Sequence, residues 1–202
     1  MSDKLLKKAK HFKSICFEER KEFFEKLSTA QDPEVLFVTC ADSRLHPHMF
    51  TESDAGELFI CRNAGNIVPP HDAPPDTTSA SIEYALHNLD LTDIVICGHS
   101  DCGAMKALLN PESTKDMPNM RHALRYANTA LQALEDADVS SGEMLQQLTE
   151  MNVLLQMVHL RSHPFVAEAE KAGRLSLHGW VYNIGEGNIR VFSPEENTFS
   201  DL

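Results

Sequence analysis

Two short apolar runs, each bounded by residues that break regular structure, constrain the fold of this chain more than any other feature. The first is VLFVTC at 35–40 and the second is DIVICG at 93–98. Runs of this length that are rich in β-branched residues are typical of strands buried on both faces of a sheet. Segments with helical periodicity lie between and after them. Strands that alternate with helices predict an α/β fold with right-handed crossovers around a mostly parallel sheet.

The rest of the pattern predicts flanking helices, an N-terminal helical arm and a C-terminal antiparallel hairpin strand at a sheet edge. We expect a single domain over 1–202, with the arm over 1–30 and the α/β body over 34–202. The further predicted elements are an amphipathic helix over 4–28, a strand over 57–62, a proline-rich loop over 65–76, a helix capped by Asp76 or Thr77, a helix over 103–109, helices over 119–137 and 141–161, and strands over 175–184 and 188–192 joined across 185–187.

Composition excludes several classes of partner. The net charge of −12 argues against nucleic acid, because neutralising phosphates requires a basic surface. No segment approaches the roughly 20 apolar residues that span a bilayer, and the first residues lack the pattern of a secretory signal. We therefore expect a cytoplasmic protein with no membrane partner. Five cysteines are an odd number in a chain of 202 residues, which favours reduced thiols over a disulfide framework.

Two polar segments follow the two buried strands directly, CADSR at 40–44 and GHSDCG at 98–103. Because sites in open α/β sheets form beyond the carboxyl ends of strands, we expect Cys40, His99 and Cys102 to meet there. Taken singly, each of the three could be an ordinary buried residue. Together, two thiolates and one imidazole favour Zn²⁺, one per chain, and three protein ligands leave the fourth position open, as in catalytic sites. The 34–202 body is therefore the predicted zinc domain.

Asp42 and Arg44 lie beside the first predicted ligand and suggest how such a site would work. Zinc lowers the pKa of its bound water to roughly neutral and so supplies hydroxide. Asp42 is placed to orient that water, and Arg44 can keep the carboxylate ionised. The alternative interpretation is an ordinary surface ion pair at the end of a strand.

The two segments, together with RNAGN at 62–66, IEYA at 82–85 and LHGWVY at 177–182, closely resemble the double signature of the β-class carbonic anhydrases. The resemblance covers nearly the whole chain. It implies a zinc lyase that reversibly hydrates carbon dioxide to bicarbonate and a proton. It also implies a homodimer or higher even oligomer such as a homotetramer, in which the N-terminal helix embraces the partner subunit.

The resemblance also implies roles for further residues. Gln31, Phe59 and Tyr84 match residues of the substrate pocket, which this family builds across a dimer interface. Gly103 of the second segment is also expected to bind substrate. In some members the motif aspartate replaces water as the fourth zinc ligand, a role that falls here to Asp42. Some members bind inhibitory bicarbonate with a tryptophan at a position where this chain has Phe37.

Two other functions remain open at this point. The first is a hydrolase of carbonyl sulfide or carbon disulfide on the same scaffold, since both substrates are linear and open to the same attack. The second is a non-enzymatic α/β protein whose zinc is structural, with Asp42 as a permanent fourth ligand.

Overall fold

One six-stranded sheet organises the computed structural model, which describes residues 2–135, 140 and 142–202. Its strands are β1 (Val35–Cys40), β2 (Leu58–Asn63), β3 (Asp93–His99), β4 (Ser176–Asn183), β5 (Asn188–Ser193) and β6 (Thr198–Asp201). They lie in the order β2-β1-β3-β4-β5-β6; the first four are parallel, and β5 and β6 join antiparallel. The predicted α/β fold, with a mostly parallel sheet and a C-terminal hairpin, is confirmed.

Helices flank the sheet and connect its strands. The α-helices are α1 (Ser2–His11), α2 (Phe17–Glu19), α3 (Lys21–Leu27), α4 (Pro47–Phe50), α5 (Thr77–Asn88), α6 (Gly103–Leu109), α7 (Pro118–Leu124), α8 (Asn128–Glu135), α9 (Met144–Ser162) and α10 (Pro164–Lys171). A π-helical turn spans Phe12–Cys16, and 3₁₀ turns span Pro111–Thr114 and Arg125–Ala127. Asp76 caps α5 by accepting hydrogen bonds from the backbone N–H groups of Thr78 and Ser79, as predicted.

The two apolar runs are central because both of their faces are covered. Leu36 and Val38 of β1 belong to one buried cluster with Ile94 and Ile96 of β3. The alternate residues of both strands, among them Phe37, belong to a second cluster on the opposite face. Successive side chains of a strand point to opposite faces, so a strand between two cores must be apolar throughout.

Some elements differ from the prediction. The predicted helix over 119–137 is divided into α7, a 3₁₀ turn and α8, and its last positions, 136–137, lie outside the described residues, as does Ser141. The helix α10 and the strand β6 were not predicted. Helix α10 follows α9 across His163-Pro164, where the residue before proline leaves the helical conformation. Strand β6 has four residues, of which only Phe199 is buried, too short a pattern to show alternation.

By its internal contacts the chain divides into two compact units, 1–32 and 33–202. In the first, the predicted helix over 4–28 contains the π-helical turn at 12–16 and a break at Arg20, whose φ is −122°. Within the turn, the Ser14 hydroxyl donates to the carbonyl oxygen of Lys10, a local bond that competes with regular helix geometry. Among the described residues no helix has the length and apolar character needed to cross a membrane.

Helix α9 lies unusually close to the sheet at two glycines. A Cβ on Gly98 would lie 2.9 Å from side-chain carbons of both Thr149 and Val153, and a Cβ on Gly179 would lie 2.8 Å from the sulfur of Met157. Only glycine leaves room for this approach. The close packing places α9 directly beneath the residue that precedes His99.

Candidate active site

The sheet topology brings the carboxyl ends of β1 and β3 side by side. The two strands are parallel neighbours, with Thr39 paired to Cys97. Cys40 is the last residue of β1 and His99 the last of β3, while Cys102 directly precedes α6. The ligand atoms of the three side chains lie within 4.8 Å of one another, and all three residues are buried. Within the described part of the chain, no other group of three potential metal ligands meets this distance criterion.

One ring nitrogen of His99 has no hydrogen-bond partner among the described residues. Its Nδ1 lies 2.8 Å from the carbonyl oxygen of Ser100, which can only accept, so Nδ1 carries the proton. The lone pair therefore resides on Nε2, which is buried and has no hydrogen-bond partner. An unsatisfied buried polar atom is costly, and this one faces two sulfurs. A set of two sulfurs and one imidazole nitrogen with an unused lone pair fits Zn²⁺.

Without a metal ion, the pKa values of the two cysteine thiols move in opposite directions. The pKa of Cys40 is lowered to about 4, chiefly by the hydrogen bond that the Cys102 thiol donates to its sulfur, and further by the backbone N–H of Gly65. The pKa of Cys102 is raised by that same hydrogen bond and by burial, although backbone N–H groups at the start of α6 favour its thiolate. A divalent cation held by both sulfurs would remove this difference between the two pKa values, because each coordinating thiol is deprotonated.

Asp42 lies beside the cluster and is held there by Arg44. The guanidinium Nε donates to Oδ1 at 2.9 Å, a terminal nitrogen donates to Oδ2 at 2.8 Å, and the Arg44 backbone N–H donates to Oδ1 at 3.0 Å. Oδ2 lies 4.0 Å from Nε2 of His99. The Arg44 hydrogen bonds hold the pKa of Asp42 well below its usual range, so the carboxylate is ionised.

Arg44 is shared between two carboxylates. Its other terminal nitrogen donates to Oδ2 of Asp101 at 2.9 Å, and Asp101 also pairs with Lys106. The two cations, Lys106 first, lower the pKa of Asp101. Asp101 has a φ of 60°, in the left-handed region, and directly precedes Cys102. The sequence contained Asp101 within the second segment, but only the structure assigns it this contact.

Arg62 fixes the backbone of the loop that carries both Cys40 and Asp42. Its Nε donates to the Cys40 carbonyl oxygen at 3.0 Å, and a terminal nitrogen donates to the Asp42 carbonyl oxygen at 2.7 Å. From the sequence, Arg62 was matched to a motif and to an inhibitory bicarbonate contact of the family, and its bonds to this loop were not predicted. These bonds form because β2, which carries Arg62, lies next to β1 in the sheet, and the sequence did not predict that order of strands.

The four residues predicted to bind substrate lie in different parts of the fold. The rings of Phe59, on β2, and Tyr84, on α5, stack with centroids 6.0 Å apart, and Tyr84 is 49% exposed. Gly103 is the first residue of α6, and a Cβ there would meet no atom within 4 Å. Gln31 is exposed and belongs to the 1–32 unit. The prediction of a shared pocket for these residues stays a prediction.

Phe37 occupies the interior of an aromatic group. It is 1% exposed, and its ring meets that of Trp180 edge-on with centroids 5.9 Å apart. Tyr182 stacks on Phe50 with centroids 4.5 Å apart. Phe37 therefore contributes packing and has no N–H with which to bind an anion.

Comparison with known proteins gives a consistent result. A family model described as carbonic anhydrase matches residues 35–189. The chain is 42% identical to a carbonic anhydrase of Pseudomonas aeruginosa over 193 residues, which cover 95% of this chain and 87% of that protein. Among solved structures, the β-carbonic anhydrase CcaA superposes with a TM-score of 0.95 at 34% identity, over 98% of this chain and 91% of that one.

A second solved structure is one of two tetrameric β-carbonic anhydrases of the ascomycete Sordaria macrospora. It superposes with a TM-score of 0.81 at 29% identity, over 93% of this chain and 94% of that one. The likeness therefore extends over nearly the whole chain.

Proposed function

The chain belongs to the β-class carbonic anhydrases, and we propose that its hydration of carbon dioxide to bicarbonate takes place at one zinc ion held by Cys40, His99 and Cys102. The observation that carries the proposal is the buried, unpartnered Nε2 of His99 facing the two cysteine sulfurs. Zinc supplies one kind of chemistry when bound: it lowers the pKa of a water molecule toward neutrality and so provides a nucleophile at working pH.

Asp42 orients the attacking water in this proposal. Its Oδ2, 4.0 Å from Nε2 of His99, accepts a hydrogen bond from the water and so directs an oxygen lone pair toward the carbon of the substrate. Arg44 keeps Asp42 ionised, because its hydrogen bonds favour the charged form. The bidentate pairing also supports an open site at rest, since a carboxylate held through both oxygens is not free to act as a fourth ligand.

Gln31, Phe59, Tyr84 and Gly103 complete the proposed substrate site. Carbon dioxide is apolar and uncharged, so the stacked pair Phe59–Tyr84 has only to offer a small dry surface. Gln31 would donate a hydrogen bond to a substrate oxygen. We propose a homodimer or homotetramer, which the tetrameric relative supports, and a cytoplasmic location.

Metal analysis combined with stopped-flow hydration tests the proposal. We expect about one zinc per chain in the wild type, and loss of both zinc and activity in Cys40→Ser and in His99→Ala. Cys61→Ala is the matched control: Cys61 is also a buried strand cysteine, but burial raises its pKa and it does not belong to the cluster. A wild-type protein that hydrates carbon dioxide without bound metal, or a Cys40→Ser variant that keeps its zinc, would overturn the assignment.

A further inference from the structure

Two fully buried amide side chains on α9 form hydrogen bonds with the backbone of the segment 65–68. Asn152 and Gln156 are 1% and 0% exposed, and their spacing of four residues places them one turn apart on one face of the helix. Nδ2 of Asn152 donates to the Gly65 carbonyl oxygen at 3.0 Å, and Oε1 of Gln156 accepts from the Val68 N–H at 2.8 Å. Nε2 of Gln156 donates to Oδ1 of Asn152 at 2.9 Å, which locks the two amides together.

The segment 65–68 carries a backbone donor to one of the proposed zinc ligands. The Gly65 N–H donates to Sγ of Cys40 at 3.4 Å. Gly65 has a φ of +85°, and a Cβ there would lie 3.0 Å from Cβ of Ala104. Glycine is therefore required, but it also has the widest backbone freedom of any residue. The direction of its N–H must be set by contacts from outside, and Asn152 supplies one on the carbonyl of the same residue.

The amides do more than fill space. Burying a polar group is unfavourable unless its donors and acceptors are paired, and α9 buries apolar side chains such as Leu148 and Leu160 elsewhere. Here both amides are satisfied, and Gln156 adds a bond to the Tyr126 carbonyl oxygen at 3.2 Å. Apolar residues of similar volume would fill the same space but would leave the Val68 N–H and the Gly65 carbonyl oxygen without these partners. What the network adds is a defined geometry for the segment 65–68.

We propose that Asn152 and Gln156 are positioning residues of the metal centre, which hold Gly65 so that its N–H stays directed at Sγ of Cys40. The inference rests on the proposed zinc site. Asn152 acts through Gly65, and Gln156 acts through Asn152 and Val68. Groups that orient metal ligands from outside typically change metal affinity by about 10- to 100-fold when they are removed.

Cobalt(II) substitution and metal release test the inference. Cobalt bound by thiolates shows a sulfur-to-metal absorption band, which reports on the ligand sulfurs and is insensitive to stability alone. We expect Asn152→Ala to shift this band and to release metal to a chelator about tenfold faster or more, well below the unfolding temperature. The control is Phe199→Ala on β6, which removes buried packing two strands away from β4 and should leave both readouts at wild-type values.

Gln156→Met serves as a second variant should Asn152→Ala not fold. Methionine matches glutamine in length and adapts to its surroundings, so packing is kept while the bonds to Val68 and Asn152 are lost. We expect changes in the same direction but smaller. Band and release rate equal to wild type in the folded variants would overturn this inference and leave the zinc proposal intact. A wild-type protein that takes up neither zinc nor cobalt would overturn both.

Discussion

Arg44 holds both carboxylate oxygens of Asp42, at 2.9 Å and 2.8 Å, while Oδ2 of Asp42 remains 4.0 Å from Nε2 of His99. The carboxylate is therefore ionised and fixed beside the proposed metal position. Asp42 follows β1 and His99 ends β3, so the carboxylate lies where the ends of the two buried strands meet. The first two predictions test whether this placement matters for activity.

Asp42→Asn should retain its metal but lose most of its activity. Asparagine keeps the shape of the side chain, yet it cannot act as a charged acceptor for the attacking water. We expect kcat/KM for hydration to fall by roughly 10²- to 10⁴-fold, the usual contribution of a positioned proton acceptor. Stopped-flow hydration with zinc analysis measures both effects, and Ser43→Ala in the same loop is the control. Wild-type height and shape of the activity–pH curve in Asp42→Asn would refute the role.

Arg44→Lys should lower activity although the charge is kept. A lysine ammonium cannot reproduce the two parallel N–H···O bonds of the guanidinium, so Asp42 is no longer fixed in orientation. We expect kcat to fall by about tenfold or more, since small errors of placement are costly in catalysis. Because Arg44 lowers the pKa of Asp42, the pKa of that carboxyl should rise in the variant, and stopped-flow hydration measures the accompanying fall in kcat.

Asp101, the second carboxylate partner of Arg44, allows the role of the Asp42 pairing to be tested separately from the charge around Arg44. Asp101→Asn removes the negative charge that Asp101 presents to Arg44 but keeps oxygen acceptors for it, and it leaves the pairing with Asp42 available. The variant should therefore lose less activity than Arg44→Lys. An equal or larger loss in Asp101→Asn would mean that the Asp42 pairing is not what Arg44 contributes.

The stability of the metal-free protein should depend on pH between about 4 and 8.5. In the metal-free fold the pKa of Cys40 is lowered to about 4, whereas in the unfolded chain it is near its ordinary value of about 8.5. Between these values the unfolded state binds one more proton than the folded state, so the free energy of unfolding rises with pH. The slope is at most about 1.4 kcal/mol per pH unit, and it vanishes as pH falls through 4.

Thermal or denaturant unfolding of the chelator-treated protein measures this slope. Cys40→Ser, likewise metal-free, should show a flatter dependence over the same range. The Cys97 thiol offers an internal check, because burial raises its pKa to about 12 and it stays protonated in both states below pH 8. Cys97→Ala should therefore leave the slope unchanged. Equal slopes in Cys40→Ser and wild type would contradict the lowered pKa.

Gly98→Ala should destabilise the fold and disturb the site. The added Cβ would lie 2.9 Å from carbons of Thr149 and Val153, so α9 must move away from β3. Overpacking of this kind costs about 1–3 kcal/mol. The stability control is Gly103→Ala, where a Cβ meets no atom within 4 Å and alanine favours the helix. Equal unfolding midpoints for the two variants would contradict the close approach of α9.

The cluster of Cys40, His99 and Cys102 was predictable because it depends on strand ends. Cys40 and His99 each end an apolar run that only a doubly covered parallel strand explains, and parallel strands present their carboxyl ends at one edge. The structure brings these residues together with Cys102, Asp42 and Arg44 as that argument requires. The C-terminal hairpin was predictable for a similarly local reason, since a glycine-containing turn joins two short apolar runs.

The contacts that support the site were not predictable in the same way. Arg62 reaches the loop of Cys40 because β2 lies next to β1, and no local pattern encodes strand order. Asn152 and Gln156 interrupt the apolar periodicity of α9, and in a sequence such residues look like solvent-facing positions. Only packing reveals that they are buried and bonded to the segment 65–68.

By itself, then, the sequence determined the class of fold, the donor atoms and the acid beside them, because these follow from periodicity and from residue chemistry. Tertiary structure alone decided which atoms satisfy one another: the free nitrogen of His99, the second carboxylate on Arg44 and the buried amides behind Gly65. The reason is physical. Hydrogen bonds between residues far apart in the chain depend on the distances and directions set by packing, and these are properties of the folded molecule as a whole.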